Sequence, residues 1–179
     1  MTNTFDTITA KGAGKAAAVR ARASGLTGVF NLLAQEHAEA ASLLRHAKGT
    51  DDYRKREDLW NEVRGELLSH ERAELSIVYP VLEETPETTE IPRLHAQHAQ
   101  LLETAIGNID AIGAESSEWE ASLENLIQIV EAHVHEEETD FFPRALRKLG
   151  KKAARDLEGP FKVAKKRFLE ESTLGISSH

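Results

Sequence analysis

Two eleven-residue stretches, HERAELSIVYP at 70–80 and HVHEEETDFFP at 133–143, repeat one pattern. Each has a histidine, a glutamate four places on, an apolar residue at the ninth position and an aromatic-proline ending. Each also continues an apolar stripe at helical spacing. Leu59, Val63 and Leu67 lead into His70 and Glu74, with Ile77, Val78 and Val81 beyond; Leu123, Leu126 and Val130 lead into His133 and Glu137, with Phe141 beyond. Residues i and i+4 share a helix face, ~6 Å apart along the axis. The repeat therefore asks for two helices that each turn an ionisable pair toward a core. Burying such a group costs several kcal/mol unless it meets a partner.

Two further helices carry the same kind of stripe. One runs from about Leu26 to Ala47 with Leu26, Phe30, Leu33, His37 and Leu44 on one face. The other runs from about Pro92 to Ile112 with His95, His98, Leu102, Ala105, Ile109 and Ile112. Period-2 alternation is absent, so strands are not expected. Lys48-Gly49 stops the first helix, Asp51 or Asp52 caps the second, Gly113 closes the third, and Ser116 or Ser117 caps the fourth. Pro80 is expected to kink or end the second helix, which runs to about Glu84. These features predict an all-α chain: an antiparallel up-down four-helix bundle over 25–147, with an additional C-terminal helical segment. Residues 1–24 read as a flexible or weakly helical lead-in. Residues 148–179 read as a basic extension and tail. Leu146, Leu149, Ala153, Leu157, Phe161, Ala164 and Phe168 give that region an apolar stripe. It should lie across the bundle with its basic side outward, interrupted at Gly159-Pro160.

The 179 residues suffice for one domain with a core. There is no cysteine, which excludes disulfides, thiolate metal sites and a cysteine nucleophile, so any metal falls to His, Asp, Glu or Tyr. No apolar run approaches the ~18–20 residues of a membrane span. No stable membrane insertion is expected, and a cytoplasmic location is. Residues 31–143 carry 25 acidic and 8 basic side chains, which argues against nucleic acid as a partner. Residues 144–171 reverse the balance, with 10 basic and 4 acidic, and are expected to pack on the chain's own acidic body.

One histidine inside an apolar stripe is ordinarily a satisfied core residue. Two His-x-x-x-Glu pairs with further histidines on both remaining stripes are hard to satisfy by hydrogen bonds alone. Four such faces converging can enclose two metal ions. His135 and His46 fall on roughly the opposite faces from His133 and His37 and read as solvated. Glu136 and Glu138 read as surface charges, and Trp60 and Phe141 as core.

The combined pattern resembles the hemerythrin/HHE cation-binding family over about 26–146. His37 lies in AQEHAEAASLL, His70 and Glu74 precede Tyr79-Pro80, and His133 and Glu137 precede Phe142-Pro143. Hemerythrins place two histidines four apart on the third helix, whereas LHAQHAQ places His95 and His98 three apart. The resemblance implies His37, His70, Glu74, His95, His98, His133 and Glu137 as ligands of two non-haem iron ions, oxo- or hydroxo-bridged. Ions that want roughly six positions each would then keep about one open. That implies a protein that binds, senses or reduces a small ligand: O2, NO or peroxide. Peroxidase- or catalase-like turnover or NO handling would be its enzymatic forms. The alternative is an iron storage, donor or metal-sensing protein without turnover.

Overall fold

The computed structural model describes residues 4–85 and 87–176; among them there is no strand. The helices are α1 (Thr4–Ala23), α2 (Val29–Lys48), α3 (Tyr53–Ala73), α4 (Tyr79–Glu83), α5 (Ile91–Ile112), α6 (Trp119–Glu136), α7 (Phe142–Asp156) and α8 (Glu158–Ile176). Their ends follow local chemistry. Asp52 accepts hydrogen bonds from the backbone N–H groups of Arg54 and Lys55 at 3.0 and 3.1 Å and so caps α3. Gly113 closes α5, and Ser116 Oγ accepts from the Glu118 N–H just ahead of α6. α1 occupies most of the stretch expected to be a lead-in. Its small buried side chains Ala17, Ala18 and Ala21 allow it close to α2, where Asn31 donates to the Ala18 carbonyl at 2.7 Å.

The helical run that α3 begins does not stop at Pro80 but continues to Glu83. A π-helical turn, Glu74–Val78, joins α3 to α4, and a second, Glu137–Phe141, joins α6 to α7. In each the aromatic N–H donates five residues back, Tyr79 to the Glu74 carbonyl and Phe142 to the Glu137 carbonyl. The proline after each aromatic lacks an N–H and crowds a regular helix, and the widened turn ahead of it relieves that conflict. The extra residue also changes the phase. On a regular helix Tyr79 would stand roughly 140° from Glu74; with one residue inserted the angle falls to about 40°. Each aromatic is thereby swung toward the same interior as its glutamate.

The core is two apolar clusters with a polar layer between them. One cluster holds Leu43, Leu59, Val63, Leu102, Ile109, Trp119 and Leu126. The other holds Phe30, Leu33, Val78, Leu82, Ile91, Phe142 and Phe161. Along each of α2, α3, α5 and α6, the chain passes from one cluster to the other through buried ionisable residues: His37, His70 with Glu71, His95, and His133. The glutamates Glu74 and Glu137, at the first residues of the π turns, complete this layer at 0% exposure.

The C-terminal region folds back. Gly150 (φ 81°) kinks α7. Gly28 (φ 65°) precedes α2, and a Cβ there would collide with the Ala154 backbone carbon, so α7 crosses directly over the start of α2. The interruption expected at Gly159-Pro160 falls just ahead of them, at Leu157 between α7 and α8. Both lie in the first turn of α8, where a missing N–H costs nothing. α8 packs along α3, with Phe161 and Ala164 buried. The basic side is not wholly outward, because Lys165 turns in toward Glu36 and Glu66.

Candidate metal centre

The polar layer brings six of the seven expected ligands into one buried cluster and adds a residue the sequence reading passed over. His70 Nε2 lies 3.5 Å from Glu74 Oε2, and His133 Nε2 lies 3.4 Å from Glu137 Oε2, so each i, i+4 pair turns inward together. Glu137 also meets His37 Nε2 and His95 Nδ1, each at 3.2 Å. The addition is Glu71, 4% exposed, which stands 3.0 Å from His133 Nε2 and 3.2 Å from His95 Nε2. Two groups of donors converge, each with its atoms within 4.8 Å of one another: His37, His70 and Glu74; and Glu71, Glu74, His95 and His133. Glu74 belongs to both.

His98 belongs to neither group. Its ring sits at the rim, 28% exposed, with Nε2 3.2 Å from Glu136 and Nδ1 3.4 Å from His133 Nδ1. It stands behind His133. Glu138 and Glu136, read as surface charges, also have partners here, since Glu138 takes His37 Nδ1 at 3.0 Å. Glu36 does the same for His70 Nδ1 at 2.8 Å. In His37, His70 and His133 one ring nitrogen thus faces the cluster centre and the other meets a polar group outside it. That is how proteins fix the tautomer and orientation of a metal-binding imidazole.

Aromatic rings close the remaining sides. Tyr79 stacks on His95 with centroids 3.8 Å apart and donates its hydroxyl to Glu137 Oε1 at 2.5 Å. Phe142 stacks on His37, and Phe161 meets His70 edge-on. A cavity of about 110 Å³ borders His37, His70, Glu71 and His133. Its walls include Leu43, Leu67, Leu102 and Val130, and it reaches Lys11 on α1 and Lys165 on α8.

The electrostatics of the cluster oppose one another. Burial, reinforced by the charges of Glu137, Glu71 and Glu36, pushes the Glu74 carboxyl well above the usual carboxylate range. Burial acts the same way on Glu137 but is outweighed by His133, His37 and His95, so that carboxyl is held down. Burial acts to lower His37, His70, His95 and His133. Glu137 and Glu138 overcome it at His37, which is lifted to about 9, whereas His95 falls to about 4 despite Glu137 and Glu71.

Whether these residues suit a metal can be tested on their own bonding. Buried polar atoms in folded proteins nearly always have a hydrogen-bond partner. Both oxygens of Glu74, both ring nitrogens of His95, Nε2 of His37, His70 and His133, and Oε2 of Glu71 and Glu137 have none among the described residues. Those atoms are the ones that face the cluster centre. Two donors bound at ~2.1 Å to one ion stand ~3.0–4.2 Å apart, and the contacts of 3.0, 3.2, 3.5 and 3.8 Å inside the two groups fall in that range. Neutral imidazole nitrogens and carboxylate oxygens are the donor types that hold divalent transition metals. The residues fit.

An all-helical protein with a buried His/Glu layer suited to cations is thus the class that fold and site define. The chain belongs to the Hemerythrin HHE cation binding domain family, which matches residues 18–145. No curated protein and no solved structure matches it. No helix among the described residues is long and apolar enough to cross a membrane.

Proposed function

We propose that the chain holds two non-haem iron ions in its polar layer and there binds, senses or reduces a small ligand, O2, NO or peroxide. The observation that carries this reading is the convergence of buried donors that make no hydrogen bond into two groups that share Glu74. His37, His70 and Glu74 would hold one ion, and Glu71, His95, His133 and Glu74 the other, with Glu137 beside both. His98 would serve from behind His133. Within the proposed bundle of residues 25–147, α2, α3, α5 and α6 are read as antiparallel and up-down. Opposed contacts support this: His37 faces Glu137 while Lys48 reaches Glu124, and Glu71 faces His95 while Trp60 reaches Asp110. Residues 148–179 are then the extension folded against it.

When bound, a redox-active ion pair supplies an attachment point and electrons for a small ligand. The chain's own part is to orient the donors, keep bulk water out with Phe142, Phe161 and Tyr79, and leave an approach. The cavity beside His37, His70, Glu71 and His133 has largely apolar walls, which suits an uncharged diatomic or peroxide. Three carboxylates and four imidazoles make a more anionic set than five imidazoles and two carboxylates, which favours the oxidised ions more.

The test is iron quantified per chain in protein purified without added metal, followed by absorption spectra after anaerobic reduction and addition of each ligand. About two irons per chain and a ligand-dependent band are expected. A chain that takes up no metal would overturn the reading. Iron released on reduction would transfer the assignment to storage or donation.

A further inference from the structure

α8 lies beyond the span that matches the family, yet it reaches the candidate centre at two points. Phe161, fully buried, places its ring edge-on to His70 with centroids 5.8 Å apart. One turn on, Lys165 Nζ lies 2.8 Å from Glu36 Oε2 and 2.7 Å from Glu66 Oε2. The same Glu36 oxygen is 2.8 Å from His70 Nδ1. Side chains of Lys165 and Glu36 are 15% and 14% exposed, so this pairing is largely withdrawn from water.

We infer that α8 completes the metal centre, with Lys165 as a positioning residue that holds Glu36 on His70 and so aims His70 Nε2 at the cluster. The inference rests on the metal reading above. Glu36 directly precedes His37, so its backbone belongs to α2, while the ring it braces belongs to α3. A carboxylate in that position has other rotamers, including ones that reach water. The Lys165 ammonium selects the inward rotamer, because a buried carboxylate beside a fixed opposite charge loses much of its desolvation penalty. Glu66, also on α3, anchors the ammonium from the far side. Without Lys165, Glu36 is free to turn outward, and His70 Nδ1 loses the acceptor that sets its tautomer. Loss of such an outer partner typically costs 10–100-fold in metal affinity.

The experiment compares Lys165→Met, Lys165→Arg and Lys166→Met with the wild-type chain, each loaded with Co(II) as a spectroscopic probe. Lys166 is exposed on the same helix and serves as the control. Release to a chelator and the visible Co(II) bands are followed, with helicity and melting recorded alongside. Lys165→Met should release cobalt roughly 10–100-fold faster and shift the bands. Lys165→Arg should restore both, and Lys166→Met should match wild type. If Lys165→Met does not fold, Lys165→Gln, which keeps the buried stem and a donor, carries the same expectation of shifted bands. Wild-type release and bands in the folded Lys165→Met or Lys165→Gln protein would overturn the role of α8. A wild-type chain that binds no metal sinks the reading beneath it instead.

Discussion

Glu71 spans two histidines from different helices, with one oxygen 3.0 Å from His133 Nε2 on α6 and the other 3.2 Å from His95 Nε2 on α5. A buried carboxylate whose two oxygens face imidazole nitrogens that make no hydrogen bond fits the ligand role proposed for it, whereas His98 sits outside that contact. Glu71→Gln should therefore lower metal occupancy from about two ions to about one under chelator competition. His98→Ala should keep both ions and lose them only several-fold faster. Metal analysis after dialysis against a graded chelator series measures this. A reversed order, with His98→Ala losing an ion and Glu71→Gln keeping both, would assign the ligand role to His98 rather than Glu71.

Glu74 sets stability against binding. With no metal present it is a fully buried carboxyl without a hydrogen-bond partner, among the charges of Glu137, Glu71 and Glu36. A carboxyl whose folded value is raised above its unfolded one costs stability at any pH where the unfolded chain ionises it, and an uncharged amide of similar shape removes that cost. Glu74→Gln should thus melt no lower than wild type in the metal-free state, and up to several degrees higher. The wild-type chain should gain about 2.7 kcal/mol from metal at a hundredfold excess over Kd, or about 5–10 °C in Tm. The variant should gain little. Paired melts with and without metal decide it, and an undiminished metal-dependent gain in Glu74→Gln would contradict the placing of Glu74 in both donor groups.

Helices α2, α3, α5 and α6 and the two His-x-x-x-Glu pairs were legible because their apolar period is long and regular and because one polar spacing repeats. Glu71 was not. It lies one residue, about 100°, off the stripe through His70, and its neighbours Glu66 and Arg72 make it resemble a solvated face. Only the approach of His95 and His133 from other helices turns it into an interior residue. Glu36 and Glu138 escaped for the same reason, since each sits beside a ligand position in sequence yet braces a histidine on another helix. His98 looked inward because it is three places from His95, but that step leaves it at the edge of the face, paired with Glu136. The π turns left only an indirect trace, the aromatic-proline endings, because a one-residue insertion is invisible to a count of 3.6. The inward turn of Lys165 was hidden among the many exposed bases of the extension.

Metal uptake should release protons. In the metal-free chain at neutral pH, His37, lifted to about 9 by Glu137 and Glu138 against burial, keeps its proton, and burial among Glu137, Glu71 and Glu36 favours the protonated form of Glu74. Both protons must be lost for the groups to ligate. The sign for stability follows. His37 has a folded value above its unfolded one, so its contribution is fully present below about 6.5 and lost as pH rises through about 9. Metal-free protein should melt lower at pH 9 than at pH 6.5, while apparent metal affinity rises over the same window. Calorimetric titration in buffers of different ionisation enthalpy should give at least about one proton released per chain at pH 7. Zero release would mean that His37 and Glu74 are already deprotonated, or take no part.

Tyr79 joins the two π turns, since it ends the turn that begins at Glu74 and its hydroxyl donates to Glu137, which begins the other. Its ring meanwhile lies flat on His95, 3.8 Å between centroids. The two contacts separate by substitution. Tyr79→Phe keeps the stack and removes the hydrogen bond. A hydrogen bond to a charged group contributes about 1.5–3 kcal/mol, so the metal-free variant should be less stable by about that amount. A carboxylate relieved of that hydrogen bond is a stronger electron donor, so a metal beside Glu137 should show shifted visible bands with unchanged stoichiometry. Tyr79→Leu, which loses the ring as well, should also loosen His95 and lower metal affinity. Melting curves and Co(II) spectra of the two variants read these effects apart. If Tyr79→Phe left both the melt and the bands at wild-type values, the hydroxyl would be a passive neighbour of Glu137, and the coupling of the two turns would rest on packing alone.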